Sequence, residues 1–142
     1  RIAIAPPYPC ARQLIMPHPA QASFVEVKTS PFHGRGLFAV APISASQTIA
    51  VYPLLVLSHE DTATVRSTLL HHYVFYVDET EDGTMRAAVA FGEISMCNHS
   101  PQANADFVVD GEAQTVTLSA RQALQPGDEI LIDYEEFAEE II

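Results

Sequence analysis

The sequence predicts a mainly β fold with about one main helix. Short runs of β-forming residues recur along the chain, and dipeptides typical of tight turns separate them. These dipeptides are Asp82-Gly83, Asp110-Gly111 and Pro126-Gly127. Only one segment joins a helix-start signal to a helical spacing of apolar residues. Many short strands with little helix indicate a compact β domain.

The 142 residues suit a single domain with a buried core, preceded by a short arm. Residues 1–22 are predicted to be this proline-rich N-terminal arm, because five of the ten prolines fall there and each removes a backbone hydrogen-bond donor. The domain is predicted to occupy residues 23–142 and to end in a short C-terminal extension.

The first half of the domain is predicted to be rich in β-strands. Residues 24–27 alternate between apolar and polar side chains, as in a half-buried strand. Residues 36–40, 48–52 and 54–57 are further strand-like runs, and Pro53 is expected to separate the last two.

One helix is predicted over residues 59–72. The Ser-His-Glu-Asp sequence that precedes it has the form of a capping box, and Val65, Leu69 and His72 follow at helical spacing. Further strands are predicted at residues 73–77, 85–91, 107–109, 115–118 and 130–132.

The net charge of −11 is concentrated in the second part of the chain, where residues 60–142 carry 17 acidic and three basic side chains. The negative electrostatic potential of these side chains repels nucleic-acid phosphates and attracts lysine- or arginine-rich peptides. The same charges also serve simply to keep a surface solvated. Charge alone does not decide between these two interpretations.

The two cysteines, Cys10 and Cys97, lack the clustered spacing that disulfide frameworks and zinc sites use. We therefore expect no metal site and a reducing compartment, cytoplasmic or nuclear. No apolar run reaches membrane-spanning length, and the first residues make a poor signal peptide. The expectation is a soluble intracellular protein that binds neither membranes nor nucleic acid directly.

Gly34-Arg35-Gly36 lies between two strand-like runs. Glycine can adopt a positive φ there and let the backbone approach a ligand closely. A Gly-x-Gly before a strand is more often a plain turn, so the tripeptide alone is a weak indication of function. It is not the dinucleotide-binding fingerprint, because the third glycine and the following helix are missing.

Asn98-His99-Ser100, with Asn104 four residues beyond the serine, is a stronger signal. Small polar side chains need hydrogen-bond partners if they are buried, and a ligand can be such a partner. From residue types alone, an Asx-type turn with a satisfied histidine is the favoured interpretation. A general base is a further interpretation of His99, since imidazole titrates near neutral pH.

Tyr134 follows residues 127–133, which read Gly-Asp-Glu-Ile-Leu-Ile-Asp. A tyrosine at a strand end is usually an amphipathic cap with its hydroxyl in water. Taken alone, the residue therefore predicts no chemistry.

Together these motifs resemble the SET domain, the catalytic module of S-adenosylmethionine-dependent protein lysine methyltransferases. A Gly-x-Gly-Leu-Phe-Ala run, here residues 34–39, opens such domains. The family pattern of Asn-His-Ser, three variable positions and Asn matches residues 98–104, and residues 127–134 resemble the family's Gly-Glu-Glu-apolar-x-x-x-Tyr ending. The resemblance covers about residues 23–137 and is to the minimal viral and bacterial forms, which lack cysteine-rich flanks.

The resemblance implies a SET fold with several short sheets, in which the segments of Asn98 and Tyr134 pack together in a threaded, knot-like crossing. It also implies that backbone groups of Gly34, Arg35 and Gly36 hold the methionine end of S-adenosylmethionine. No metal is needed, because methyl transfer from a sulfonium to an amine is an in-line displacement.

The resemblance further implies that the Asn98 side chain and the His99 backbone bind the amino group and adenine of this cofactor, which argues against His99 as a base. Tyr134 is then the catalytic residue, with its hydroxyl beside the cofactor and the methyl group that moves. Phe137 is expected to cover the cofactor or the channel mouth, with a C-terminal hydrophobic anchor as the alternative.

Tyr73 and Tyr76 are the candidates for the walls of a lysine channel, since aromatic walls exclude water and tolerate methylated cations. Plain core packing is an equally good interpretation of each tyrosine.

The predicted function is S-adenosylmethionine-dependent N-methylation of a lysine in a basic protein, such as a histone-like protein. The alternative is a non-catalytic SET module that binds a basic partner or the cofactor without turnover. A homodimer is also expected to be possible, because a minimal SET domain lacks the flanks that usually complete its substrate groove.

Overall fold

The computed structural model describes residues 23–134. Within that range it contains nine strands, one α-helix and two short 3-10 helices, in agreement with the predicted mainly β class. The predicted arm at residues 1–22 and the predicted C-terminal extension with Phe137 lie outside the described residues.

The strands are β1 Val25–Thr29, β2 Arg35–Ala39, β3 Thr48–Val56, β4 Val74–Glu79, β5 Met85–Ala90, β6 Asn98–His99, β7 Ala105–Asp110, β8 Thr115–Ala120 and β9 Glu129–Ile132. The α-helix is α1 His59–Arg66, and the 3-10 helices are Leu69–Tyr73 and Glu93–Met96.

The strands form two sheets, with the orders β1-β2-β9-β6 and β4-β5-β3-β8-β7. Neighbouring strands run antiparallel except for β6 and β9, which are parallel. The last strand, β9, therefore lies between two strands from earlier parts of the chain. This order brings the segments of Asn98 and Tyr134 together, while the threading of the crossing stays a prediction.

One hydrophobic cluster joins the two sheets. Leu37 and Ile130 come from the first sheet and Leu118 from the second, and all three are completely buried. Cys97 also lies in this cluster, where burial raises the pKa of its thiol and keeps it protonated. The core thus packs directly beneath β6 and β9.

The prediction that Pro53 ends a strand is wrong, because β3 continues without a break from Thr48 to Val56. The strand pairs with β8 up to Pro53 and with β5 from Leu54 onward. Proline is tolerated because its missing N–H falls where the strand changes partners. Its carbonyl oxygen still accepts a hydrogen bond from the Phe91 N–H at 3.0 Å.

The predicted helix begins where expected but ends early. The Ser58 hydroxyl caps it by accepting a hydrogen bond from the Asp61 N–H at 3.0 Å. The α-helix ends at Arg66, because the Thr68 side chain accepts from the Leu70 N–H at 3.2 Å and begins a separate 3-10 helix. The helix over residues 59–72 is therefore two elements.

The buried side of α1 differs from the predicted apolar stripe. Leu69 is 82 % exposed, whereas Thr62 is 1 % exposed. The Thr62 hydroxyl accepts a hydrogen bond from the Ala87 N–H of β5 at 3.0 Å and donates to the Ser58 carbonyl at 2.8 Å. A buried polar contact, rather than apolar packing, fixes the helix on the sheet.

No helix of residues 23–134 has the length and hydrophobicity that a membrane crossing requires.

Thr62→Val is expected to destabilise the domain by about 1–3 kcal/mol, because it leaves the Ala87 N–H buried without an acceptor. Thr64→Val is the matched control, since the exposed Thr64 hydroxyl donates to the Glu60 carbonyl of its own helix. Urea unfolding of both variants tests this difference. Equal free energies of unfolding in the two variants would contradict the role of Thr62.

Candidate active site

The pairing of β6 with β9 places the two polar segments of the sequence at one cavity. The cavity has a volume of about 260 Å³ and is open to solvent at one side. Its lining contains Arg35, His72, Tyr73, Ser95, Met96, Cys97, Asn98 and Tyr134. Four of the predicted site residues, Arg35, Tyr73, Asn98 and Tyr134, are thus brought together.

Tyr134 follows β9, and its hydroxyl donates a hydrogen bond to the backbone carbonyl of Cys97. Burial raises the pKa of Tyr134 to about 12, with smaller contributions from Cys97 and Tyr73. The hydroxyl is therefore protonated at neutral pH. It presents its oxygen lone pairs next to the Cys97 carbonyl, and it cannot serve as a base.

His99 positions Tyr134 through its side chain. Its Nδ1 accepts a hydrogen bond from the Tyr134 N–H at 2.9 Å, and the two rings pack with their centroids 5.1 Å apart. Because Nδ1 is an acceptor, the neutral ring carries its proton on Nε2. This geometry adds a side-chain role that the sequence did not predict, while the expectation that His99 is not a base stays a prediction.

The Asn98 amide is held from two sides. Its Nδ2 donates to the Arg35 carbonyl at 2.9 Å and to Glu129 Oε2 at 2.8 Å. Both amide hydrogens are then used, so Oδ1 is the polar atom left to accept a hydrogen bond from a ligand.

Gly34 and Gly36 play different parts in the Gly-x-Gly turn. Gly34 has a φ of +29°, in the region that favours glycine. A Cβ on Gly36 would lie 2.4 Å from Glu129 Oε2 and 3.0 Å from Asn98 Nδ2. Protein side chains thus approach the backbone closely at Gly36, and contact of either glycine with the cofactor stays a prediction.

Asn104 fastens β9 in place. Its Nδ2 donates to the Glu129 carbonyl and its Oδ1 accepts from the Leu131 N–H, both at 2.8 Å. Its own N–H donates to the Leu131 carbonyl at 3.1 Å. The asparagine that ends the Asn-His-Ser pattern therefore holds the backbone of β9 in this structure.

Of the two predicted channel tyrosines, Tyr73 lines the cavity and is 45 % exposed. Tyr76 lies in β4, is 4 % exposed and is not among the lining residues. Its place in a channel stays a prediction.

Tyr52 is a buried tyrosine outside the cavity lining. Its hydroxyl is buried close to the carboxylate of Glu93. Burial raises its pKa, as does the nearby carboxylate of Glu93, and it interacts electrostatically with Cys97 of the cavity. In the sequence it looks like any core aromatic of a strand, because its proximity to Glu93 and Cys97 arises only in three dimensions.

A second, more open cavity of about 520 Å³ adjoins the other residues of the motifs. Its lining includes His33, His99, Ser100, Asp128 and Glu129. Since Glu129 bonds to Asn98, this pair connects the two cavities. Among residues 23–134, no group of three His, Cys, Asp or Glu side chains is placed to hold a metal ion.

The sequence was compared with models of known protein families. The family model described as SET domain matches residues 34–135, which is most of the chain. The chain belongs to the SET domain family. The predicted SET fold is thereby confirmed.

Relatives of this SET domain include a curated Schizosaccharomyces pombe protein, "Histone-lysine N-methyltransferase, H3 lysine-37 specific". The two are 27 % identical over 117 residues, which is 82 % of this chain and 76 % of the relative. Together with the family match, this relative supports the predicted enzyme class, a protein-lysine methyltransferase.

Solved structures share the fold. A crystal structure of a candidate histone methyltransferase from Plasmodium falciparum gives a TM-score of 0.63 at 21 % identity, over 79 % of this chain and 93 % of that chain. A structure of ctPRC2 gives a TM-score of 0.62 at 17 % identity, over 80 % of this chain and 15 % of that chain. At these identities the likeness concerns the fold alone.

Asn104→Ala is expected to destabilise the SET domain by about 1–3 kcal/mol, because it leaves the Glu129 carbonyl and the Leu131 N–H without their partner. Gln102→Ala is the control, since Gln102 is exposed in the same loop. Chemical denaturation of the two variants measures the difference. An Asn104 variant as stable as the control would show that the clamp is dispensable.

Proposed function

We propose that this SET domain transfers a methyl group from S-adenosylmethionine to the side-chain amine of a lysine in a basic protein. The observation that carries the proposal is the single cavity bordered by Arg35, Tyr73, Asn98 and Tyr134. It combines a cation, a free amide oxygen and aromatic walls beside a neutral hydroxyl.

The residues of the cavity fit the amino-acid end of this cofactor. The Asn98 Oδ1 is an acceptor for an α-ammonium group, and the Arg35 guanidinium suits an α-carboxylate. The cavity of about 260 Å³ is smaller than pockets that enclose a whole ligand of this size, so it holds one end only. When bound, S-adenosylmethionine supplies an electrophilic methyl group on a sulfonium.

The protein's part in the reaction is to align the amine, to exclude water and to favour the neutral form of lysine. An unperturbed lysine has a pKa of about 10.4, and a desolvated channel lowers it. Tyr73 and Tyr134 supply aromatic surface for this. Oxygen lone pairs of Tyr134 and Cys97 suit the partial positive charge of a methyl group in transit.

A basic substrate is supported by charge and by the relatives. Acidic residues outnumber basic ones 17 to three over residues 60–142, which favours encounter with lysine-rich proteins at low salt. The Schizosaccharomyces pombe relative is named as a histone-lysine N-methyltransferase. Core histones are therefore a suitable first probe.

Tyr134→Phe is expected to lower kcat by roughly 10²–10³-fold, because it removes a preorganised hydroxyl oxygen beside the moving methyl group. Methyl transfer to core histones, measured with radiolabelled S-adenosylmethionine and mass spectrometry, tests this. Tyr76→Phe is the matched control, since it removes a hydroxyl from a buried tyrosine outside the cavity lining. An equal loss in the control would instead support the predicted place of Tyr76 in the channel.

The same assay separates the catalytic proposal from the non-catalytic alternative. Wild-type protein that binds histones or the cofactor but transfers no methyl group, to these or to other basic proteins, would favour a binding module. Methyl transfer that does not weaken as salt rises would count against electrostatic selection of a basic substrate.

The positioning role of His99 predicts opposite outcomes for two amide replacements. Asparagine places its oxygen close to the position of Nδ1, and glutamine places its amide close to Nε2. His99→Asn is therefore expected to keep most of the methyl-transfer activity, whereas His99→Gln loses it together with the contact to the Tyr134 N–H. Higher activity in the glutamine variant would point to a role for Nε2 instead.

A further inference from the structure

Glu129 joins the glycine turn to the Asn98 amide. Its Oε1 accepts a hydrogen bond from the Ser30 hydroxyl at 2.8 Å, and its Oε2 accepts from Asn98 Nδ2 at 2.8 Å. The side chain is half-buried at the first position of β9. Each carboxylate oxygen therefore bonds to a different segment of the chain, one to the turn before Gly34 and the other to Asn98 of the cavity lining.

Both carboxylate oxygens of Glu129 must accept a hydrogen bond, because both of their partners are donors. The Ser30 hydroxyl oxygen already accepts hydrogen bonds from the Phe32 and His33 N–H groups, both at 3.2 Å, so its own hydrogen must go to Glu129. Ser30 is 6 % exposed, so water has little access to it. A carboxylate meets this requirement, and an amide does not.

The carboxylate also decides which way the Asn98 amide faces. Glu129 and the Arg35 carbonyl are both acceptors, so Nδ2 must turn toward them and Oδ1 away from them. Gly36 makes room for this contact, since a Cβ there would lie 2.4 Å from Glu129 Oε2. Glu129 and the Arg35 carbonyl together therefore determine which atom Asn98 presents to the cavity.

We propose that Glu129 is a positioning residue for the cofactor: it fixes the Asn98 amide so that Oδ1 faces the ligand's ammonium group. This inference rests on the proposed function, because it concerns the ammonium of S-adenosylmethionine. Replacing Glu129 by glutamine places an NH₂ donor next to another donor, either the Ser30 hydroxyl or Asn98 Nδ2. In the second case the Asn98 amide turns over and presents a donor to a cation.

The test is calorimetric titration with S-adenosylhomocysteine, which carries the same amino-acid group without the transferable methyl. Glu129→Gln is expected to raise Kd by roughly tenfold or more, as for loss of a hydrogen bond to a charged group. Glu26→Gln is the matched control, because Glu26 lies on β1 of the same sheet and is exposed beside Lys28. Its Kd is expected to stay within about twofold of the wild-type value.

A double-mutant cycle with Asn98→Ala distinguishes positioning from a general structural role. If Glu129 acts through Asn98, the effect of Glu129→Gln on Kd falls below about twofold when Asn98 is alanine. A full effect in that background would overturn the inference, as would an unchanged Kd in the single Glu129→Gln variant. Thermal unfolding of every variant shows whether each remains folded during the titration.

The wild-type arm tests the proposed function separately. Wild-type protein that binds neither S-adenosylhomocysteine nor S-adenosylmethionine would overturn both proposals. Wild-type binding with no difference between Glu129→Gln and Glu26→Gln would overturn only the role of Glu129.

Discussion

The parallel pairing of β6 with β9 is the constraint on which the rest of the site depends. Asn98 and His99 lie opposite Leu131 and Ile132, although more than 30 residues separate the strands in the chain. The pairing covers only two residues of β6, so backbone hydrogen bonds alone hold it weakly. Asn104 reinforces it by bonding to the Glu129 and Leu131 backbone, and the buried Ile130 and Ile132 anchor β9 from below.

The same crossing determines the polarity of the cavity. The Glu129 carboxylate and the Arg35 carbonyl accept hydrogen bonds from the Asn98 amide. The His99 ring accepts a hydrogen bond from the Tyr134 N–H. The Tyr134 hydroxyl in turn donates to Cys97. The amide hydrogens of Asn98 and the hydroxyl hydrogen of Tyr134 are thus used within the wall, and the oxygens of Asn98, Tyr134 and Cys97 suit a cationic ligand, while the Arg35 guanidinium supplies a donor. This pattern suits a cofactor that carries an ammonium and a sulfonium.

Catalysis in such a site comes from placement and solvation rather than from a titrating side chain. Burial keeps Tyr134 protonated, with a pKa of about 12, over the range in which lysine itself loses its proton. His99 is tied to the backbone of Tyr134 through Nδ1. In the proposed function, the side chains around the cavity hold the reacting groups in line, which is the main requirement for displacement at a methyl carbon.

The sequence by itself determined the β class, the capping of α1 and the two motifs whose segments form the site, because turn residues, caps and motif spacing are local properties of the chain. Tertiary structure decided the rest. Pro53 is tolerated in β3 because two different strands flank it, and Thr62 is buried because β5 needs an acceptor there. Glu129 gains its importance from contacts with residues remote in sequence. Such contacts depend on sheet order, and local patterns of residues carry no information about which distant segments will meet.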